Sequence, residues 1–308
     1  MATNPPNDDH FKRQDAASYD PVQKAYDHFT EAFTTPLAKR IVELAGIRSS
    51  DRVLDVATGT GVVVRAIAAT LRPAGGILGV DLSDGMLATA REKAAAAGYA
   101  IEFLKTDAEA LDLPDKSFDV VLSLFGLMHF PHPDKAIRQM FRVLKPGGRV
   151  VIGVGSSPAR DSFAQVGYAS SRAWEMVERA RGRWLAAPGY LDDLVRKYIP
   201  AEAEIETADV TRSGHPGSFL PRLVRAAGFA NLERSWQGYA PEFKTAEEFW
   251  ELQATYSTFA RKRLSHATSA QAQAVKDEFF STCQAVLGRG GRLVYRYGSL
   301  YVSAQRPV

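Results

Sequence analysis

The chain has 308 residues, 45% of them hydrophobic and 24% charged, with a formal net charge of +3. That is an ordinary globular composition, long enough for one large domain or for a core with an elaborate cap, and its dispersed basic residues argue against a nucleic-acid partner. A single cysteine, Cys283, excludes an intrachain disulfide framework and a thiolate metal cluster; no stretch is apolar for the width of a bilayer; and the opening MATNPPNDDH lacks a signal-peptide pattern, so a cytoplasmic location is expected.

In chain order, residues 1–18 read as a polar, disordered tail, followed by helices over 21–33 and 36–45. Two periodicities then alternate. Short β-rich runs fall at 51–57, 76–81, 101–106, 118–124 and 149–154, and helical patterns at 62–71, 83–97 and 134–144 lie between them. Strand alternating with helix implies βαβ units and a doubly wound, mostly parallel α/β sheet covered on both faces. Glycines and prolines at 73–76, 98 and 145–148 punctuate the helices. Further on, helices are expected at 161–181, 190–198 and 217–227, and a strand at 231–239. Helices follow at 246–264 and 270–287, and 292–304 reads as a hairpin or edge strand bent at Gly298. The domain organisation expected is thus a tail (1–18), N-terminal helices with the core (19–157) and a helical cap insertion (158–213). The end of the core sheet, with added cap helices at 246–288, completes it (214–308).

The strongest local signal is VLDVATGTG at 53–61, where a strand ends at an acid, Asp55, and a glycine-bearing turn opens a helix. Glycine at 59 and 61 lets backbone amides approach a ligand closely. Val64 stands where a dinucleotide fingerprint needs its third glycine, and the Gly-Lys-Ser/Thr ending of a P-loop is absent. The loop therefore suits a nucleoside without pyrophosphate. Asp81 ends the second strand and Asp107 follows the third, so three neighbouring strands present carboxylates on the edge where such sheets bind ligands. A carboxylate after the second strand can accept both hydroxyls of a ribose, and Asp107 can accept from an exocyclic amine.

These residues, with GVDLSDGML (79–87), LKTDAEALDLPDKSFDVV (104–121), LFGLMHF (124–130) and VLKPGGRV (143–150), resemble the Class I S-adenosylmethionine (SAM)-dependent methyltransferases. The closest likeness is to the small-molecule branch that includes the ubiquinone/menaquinone biosynthesis methyltransferases. The match covers roughly 45–155, with an echo at 219–229, and departs from the family pattern at Ala57, where glycine is usual. The resemblance implies a seven-stranded Rossmann-like methyltransferase core with a helical cap or lid, and SAM as cofactor with S-adenosylhomocysteine as product. It implies that Ala57, Gly59 and Gly61 pack against the methionine end, and that Asp55 meets the ammonium there. It further implies that Asp81 binds the ribose and that Leu82 and Met86 flank the adenine. Thr106, Asp107 and the Ala108 amide would read the adenine edge, and Leu124 and Phe125 would lie beneath the sulfonium. Tyr19, Tyr26 or Phe33 would close over the methionine end, where a cation gains on the order of 0.5–2 kcal/mol from aromatic faces.

His129 and His132 follow the fourth strand. Either can make only a structural hydrogen bond, but His129 is the leading candidate for a general base. No histidine, cysteine and acid cluster has metal-ligand spacing, so no metal is expected. The aromatics Trp174, Trp184, Trp236, Phe243, Trp250, Tyr256, Phe259, Tyr295 and Tyr297 mostly pack a cap, and a few of them would make an acceptor pocket apolar or aromatic. Arg289, Arg292 and Arg296 are either solvated or available to an acidic group on the acceptor. The expected activity is O- or C-methylation of a small quinone-, terpenoid- or secondary-metabolite-type acceptor, with no nucleic-acid partner and no membrane span, and with a homodimer left open. The rivals are a SAM-binding protein without turnover and a nucleotide-dependent oxidoreductase on the same fold, which SAM against NADH titration separates.

Overall fold

The computed structural model describes residues 12, 23–158, 163–187, 189–200 and 216–308, so the expected tail lies outside the described residues except for Lys12. The described residues fall into two compact units. One holds those up to Ser156, those between Ala208 and Trp236, and Ser299–Val308; the other holds those of Ser157–Thr207 and Gln237–Gly298.

The first unit is organised by a seven-stranded sheet. Its strands are β1 (Val53–Val56), β2 (Ile77–Asp81), β3 (Glu102–Lys105), β4 (Phe118–Leu124), β5 (Leu144–Gly155), β7 (Ala230–Tyr239) and β10 (Tyr297–Gln305), in the order β3-β2-β1-β4-β5-β10-β7. The first five are parallel; β10 runs antiparallel to β5 with Ser299 opposite Gly155 and Gln305 opposite Arg149. Order reverses beside β1, which creates the crevice at the carboxyl edge where doubly wound sheets take ligands. Val53–Val56 is buried throughout, as a strand covered on both faces must be. The helices are α1 (Gln23–Ala45), α2 (Val62–Thr70), α3 (Asp84–Ala96), α4 (Pro133–Val143) and α7 (Pro216–Ala226). Leu54, Val56, Ile137, Met140, Phe219 and Val224 belong to the core between the sheet and α4 and α7.

Where two N-terminal helices are expected, a single helix runs through Pro36. The missing amide costs one hydrogen bond, but Leu37, Ala38 and Ile41 are wholly buried beyond it, and Tyr301 donates its hydroxyl to the Leu37 carbonyl at 3.2 Å. Burial of the turns that follow the proline outweighs the break.

The second unit contains α5 (Phe163–Ala180), β6 (Trp184–Ala187), α6 (Tyr190–Tyr198), β8 (Glu242–Phe243), α8 (Ala246–Tyr256), α9 (Thr258–Ser265), α10 (Ser269–Gly288) and β9 (Arg292–Tyr295). A three-stranded sheet, β6-β9-β8, was not expected. The single helix expected over 246–264 is two, because Ser257 is extended and caps α9, accepting from the Ala260 amide at 3.0 Å while its hydroxyl donates to Asp192. The stretch 292–304 is no hairpin. It divides at Arg296, β9 joining the small sheet and β10 taking an interior place in the large one. Cys283 is fully buried, and burial pushes its thiol up to about 12, which removes it as a nucleophile.

Candidate functional site

The site forms where β1, β2 and β4 end. Strand β1 gives way to a turn in which Ala57, Gly59 and Gly61 have φ of 59°, 55° and 81°. This left-handed region explains why glycine is usual at the first of these positions; alanine there costs on the order of 1–2 kcal/mol. The Ala57 methyl in turn leaves room only for glycine at 126 in the next loop, since a Cβ there would stand 2.7 Å from it and 2.8 Å from the Ser123 hydroxyl. The turn is tied down by the Thr58 amide, which donates to the Val80 carbonyl at 2.9 Å, and by the Thr58 hydroxyl, which donates to Asp55 Oδ2 at 2.7 Å.

Asp55 is buried under this loop and its Oδ1 has no hydrogen-bond partner. Burial pushes its carboxyl up to about 7, against the Thr58 hydrogen bond and with help from the Asp81 charge. The hydroxyls of Thr60 and Ser123 are likewise buried and unpartnered. Buried polar atoms are rarely left so, and a carboxylate oxygen in that state fits a ligand that brings its own cation.

Asp81 closes β2. Its Oδ2 accepts from the Gly59 amide at 2.9 Å and its Oδ1 from the Ser83 amide at 3.0 Å. Burial raises its pKa, while those two amides and the charge of His129 oppose the rise. Ser83 caps α3 by accepting from the Met86 amide at 3.2 Å, which sets Leu82 and Met86 beside the carboxylate. After β3, the Thr106 amide donates to the Asp81 carbonyl at 3.1 Å, and Asp107 Oδ1 accepts from the Glu109 amide at 2.9 Å. Lys12 reaches this loop. Its ammonium donates to Asp107 Oδ2 and to Glu109 Oε2, both at 2.7 Å, while Glu109 Oε1 accepts from the His132 amide at 2.7 Å. Phe125, at φ 63°, starts a single 3-10 turn over Gly126–His129.

One pocket gathers most of the residues singled out from sequence: Ala57, Gly59, Asp81, Leu82, Met86, Thr106, Asp107, Ala108, Leu124, Phe125 and His129 all line it. Gly61 lies one step on, as the cap of α2. Asp55 sits beneath the loop rather than in the wall. Phe33 is half-buried in α1; the Tyr26 side chain and Tyr19 lie outside the described residues. Lys12, Ser83, Gly126 and Phe130 also line the pocket and were not singled out. Ser83 was legible as an N-cap before a helical run; Lys12, in a polar stretch, carried no signal. No group of three or more His, Cys, Asp or Glu able to hold a metal occurs among the described residues. Nor is any helix among them long and apolar enough to cross a membrane.

In the second unit, Tyr239, Tyr297, Tyr295 and Tyr256 form a chain of ring contacts with centroids 5.5, 5.6 and 6.2 Å apart. Arg296 is engaged by Glu175 and donates to Ser171 at 2.8 Å, and Arg292 donates to Glu242 at 2.7 Å, so both arginines hold partners within the chain.

Residues 53–148 match the family model of a methyltransferase domain. Over 127 residues the chain is 42% identical to the ubiquinone/menaquinone biosynthesis C-methyltransferase UbiE of Ectopseudomonas mendocina, covering 41% of this chain and 50% of that protein. Over 119 residues it is 45% identical to UbiE of Pseudomonas putida strain GB-1, covering 38% and 46%. The chain thus spans about half the length of the curated relatives it matches. Among solved structures, YcgJ of Bacillus subtilis superposes with a TM-score of 0.52 at 18% identity, over 88% of this chain and 98% of that one. The [4+2]-cyclase SpnF superposes with 0.51 at 22% identity, over 89% and 82%. Likeness at that identity speaks to the fold alone.

Proposed function

We propose that this chain, whose residues 53–148 carry a class I SAM-dependent methyltransferase domain, methylates a small, largely apolar or aromatic acceptor and releases S-adenosylhomocysteine. SAM is the cofactor of that domain, and it supplies a methyl group already activated on sulfonium. The protein's work is therefore to bind, align and exclude water, which can be worth an effective molarity of roughly 10⁵–10⁸ M.

The observation that carries the reading is Asp81. Backbone amides of Gly59 and Ser83 fix its two oxygens in the pocket wall, and each keeps a lone pair for a ribose hydroxyl. Leu82 and Met86 offer apolar faces for adenine; Thr106, Asp107 and the Ala108 amide offer its edge. The glycine turn and the orphaned Asp55 Oδ1 fit an α-ammonium, with Tyr26 and Phe33 of α1 assigned to cover that end. Leu124 and Phe125 are assigned to the floor below the sulfonium.

His129 is the candidate base, drawing a proton from an acceptor hydroxyl or acidic carbon and contributing about 10²–10⁴-fold. Carbon methylation of a quinone-type ring is the preferred form, in keeping with the relatives' printed activity, with oxygen methylation as the alternative. The chain is assigned to the cytoplasm.

Incubation with methyl-labelled SAM and fractionated extracts should yield a labelled, organic-soluble small product. Calorimetry should show uptake of S-adenosylhomocysteine and none of NADH. A protein that binds neither SAM nor its demethylated product would end the proposal. Unchanged turnover in His129→Ala across pH would remove the base assignment alone.

A further inference from the structure

Helix α5 is turned inside out. Its buried positions include Glu175 and Glu178, whereas Val166, Trp174, Met176 and Val177 are exposed at 67, 49, 71 and 48%. At about 100° per residue, Val166, Trp174 and Val177 fall within an arc of roughly 80°, and Met176 widens it. A helix on the surface of a water-soluble domain keeps the reverse pattern, and contiguous exposed apolar groups mark a surface that something covers.

The acids are spoken for inside the unit. Glu175 is held by Arg296 and by Arg172 at 2.9 Å, and Glu178 by Arg181 at 2.9 Å and Arg183 at 3.6 Å. With both glutamates buried, every exposed charge between Phe163 and Trp184 is an arginine: Arg172, Arg181 and Arg183 share the two glutamates, and with Arg179 they leave the segment an excess of positive charge. A second copy laid face to face on this helix would bring those cations together. A surface of phosphate headgroups over acyl chains matches both features, taking up the aliphatic and indole side chains while meeting the guanidinium groups with negative charge.

We propose that α5 is a peripheral docking surface for an anionic lipid bilayer, with the Val166, Trp174, Met176 and Val177 side chains entering the headgroup–acyl boundary. This goes beyond the methyl-transfer reading and does not depend on it.

The test uses the full chain and vesicles of phosphatidylcholine with or without phosphatidylglycerol. Co-sedimentation is expected with the anionic vesicles, weakened by added salt, together with a blue shift of tryptophan emission. The combined substitution Val166→Gln, Met176→Gln and Val177→Gln keeps residues of equal or better helix propensity, and should lower vesicle binding about tenfold or more. Arg179→Gln should weaken binding and flatten its salt dependence. Calorimetric affinity for S-adenosylhomocysteine should stay unchanged in the triple variant, so failure of docking and failure of the cofactor reading are separate results. The proposal is overturned by equal binding to neutral and anionic vesicles, by wild-type vesicle binding in the triple variant, or by a dimer in light scattering that the triple variant dissolves.

Discussion

Asp55 offers the sharpest test of the site, because the same burial acts oppositely on folding and on ligand uptake. Its carboxyl is raised from an ordinary 3.8 to about 7. Below about pH 4 both folded and unfolded chains hold the proton, and the site costs nothing. Between there and pH 7 the unfolded chain ionises while the folded one does not, so stability falls as pH rises. Above 7 the loss is complete. At 1.36 kcal/mol per unit, the shift amounts to a cost on the order of 4 kcal/mol at pH 8, a large part of the few to fifteen that hold a domain together. Asp55→Asn keeps the shape and can still accept from Thr58. It should leave the first unit more stable than the wild type at pH 8 by about 1–3 kcal/mol once the buried amide donors are charged for, and the gap should close towards pH 5. The same substitution should weaken S-adenosylhomocysteine binding by about tenfold or more, through loss of a charged partner for the ammonium. Urea unfolding followed by circular dichroism at half-unit pH steps, with calorimetry alongside, measures both. A wild-type minus variant difference that does not change between pH 5 and 8 would refute the account of Asp55 as a buried acid awaiting a cation.

Three other expectations follow from geometry. Asp81→Ala should cost about 1–3 kcal/mol of S-adenosylhomocysteine affinity, the value of an unsatisfied diol; an unaltered dissociation constant would contradict the ribose assignment. Gly126→Ala should destabilise by about 1–3 kcal/mol because its methyl would meet Ala57 Cβ at 2.7 Å and the Ser123 hydroxyl at 2.8 Å; in an Ala57→Gly background part of that loss should vanish, the Ser123 clash remaining, and strict additivity in the cycle would show the two loops are not in contact. Arg306 donates to the carbonyls of Phe141, Arg142 and Leu144 at 2.7, 3.1 and 2.8 Å as α4 ends. Arg306→Ala should therefore lower stability by about 1.5–3 kcal/mol, read from the urea midpoint, with no effect on cofactor affinity.

The centre of the sheet was legible because its inner strands are buried on both faces and so read as mainly apolar runs, as 53–56 and 118–124 do. The pocket wall was legible because doubly wound sheets confine ligands to one edge, and the acids at 81 and 107 mark that edge. Elsewhere, local signals lost to packing. Pro36 should end a helix, but burial of Leu37 and Ile41 carries the chain through. Ser257 looks like an ordinary helical residue, yet its hydrogen bond to Asp192 makes it a cap. Strands β6, β8 and β9, of two to four residues, are too short for an alternation to declare itself. Ala164, Tyr168, Ser171 and Glu175 step along one side of α5 in the sequence, but only the structure shows that this side turns inward and that the apolar side opposite faces solvent.

The interior place of β10 bears on how this chain reaches its native state. Ser299 pairs with Gly155, so the contact that completes the main sheet joins positions far apart in sequence and is expected to form late and slowly. Until it does, β5 and β7 each carry a naked row of amides and carbonyls, open to pairing with neighbouring molecules. Recombinant yield should therefore hinge on temperature and chaperone supply during synthesis, and inclusion bodies, rather than proteolysis, should be the fate of chains that miss the insertion.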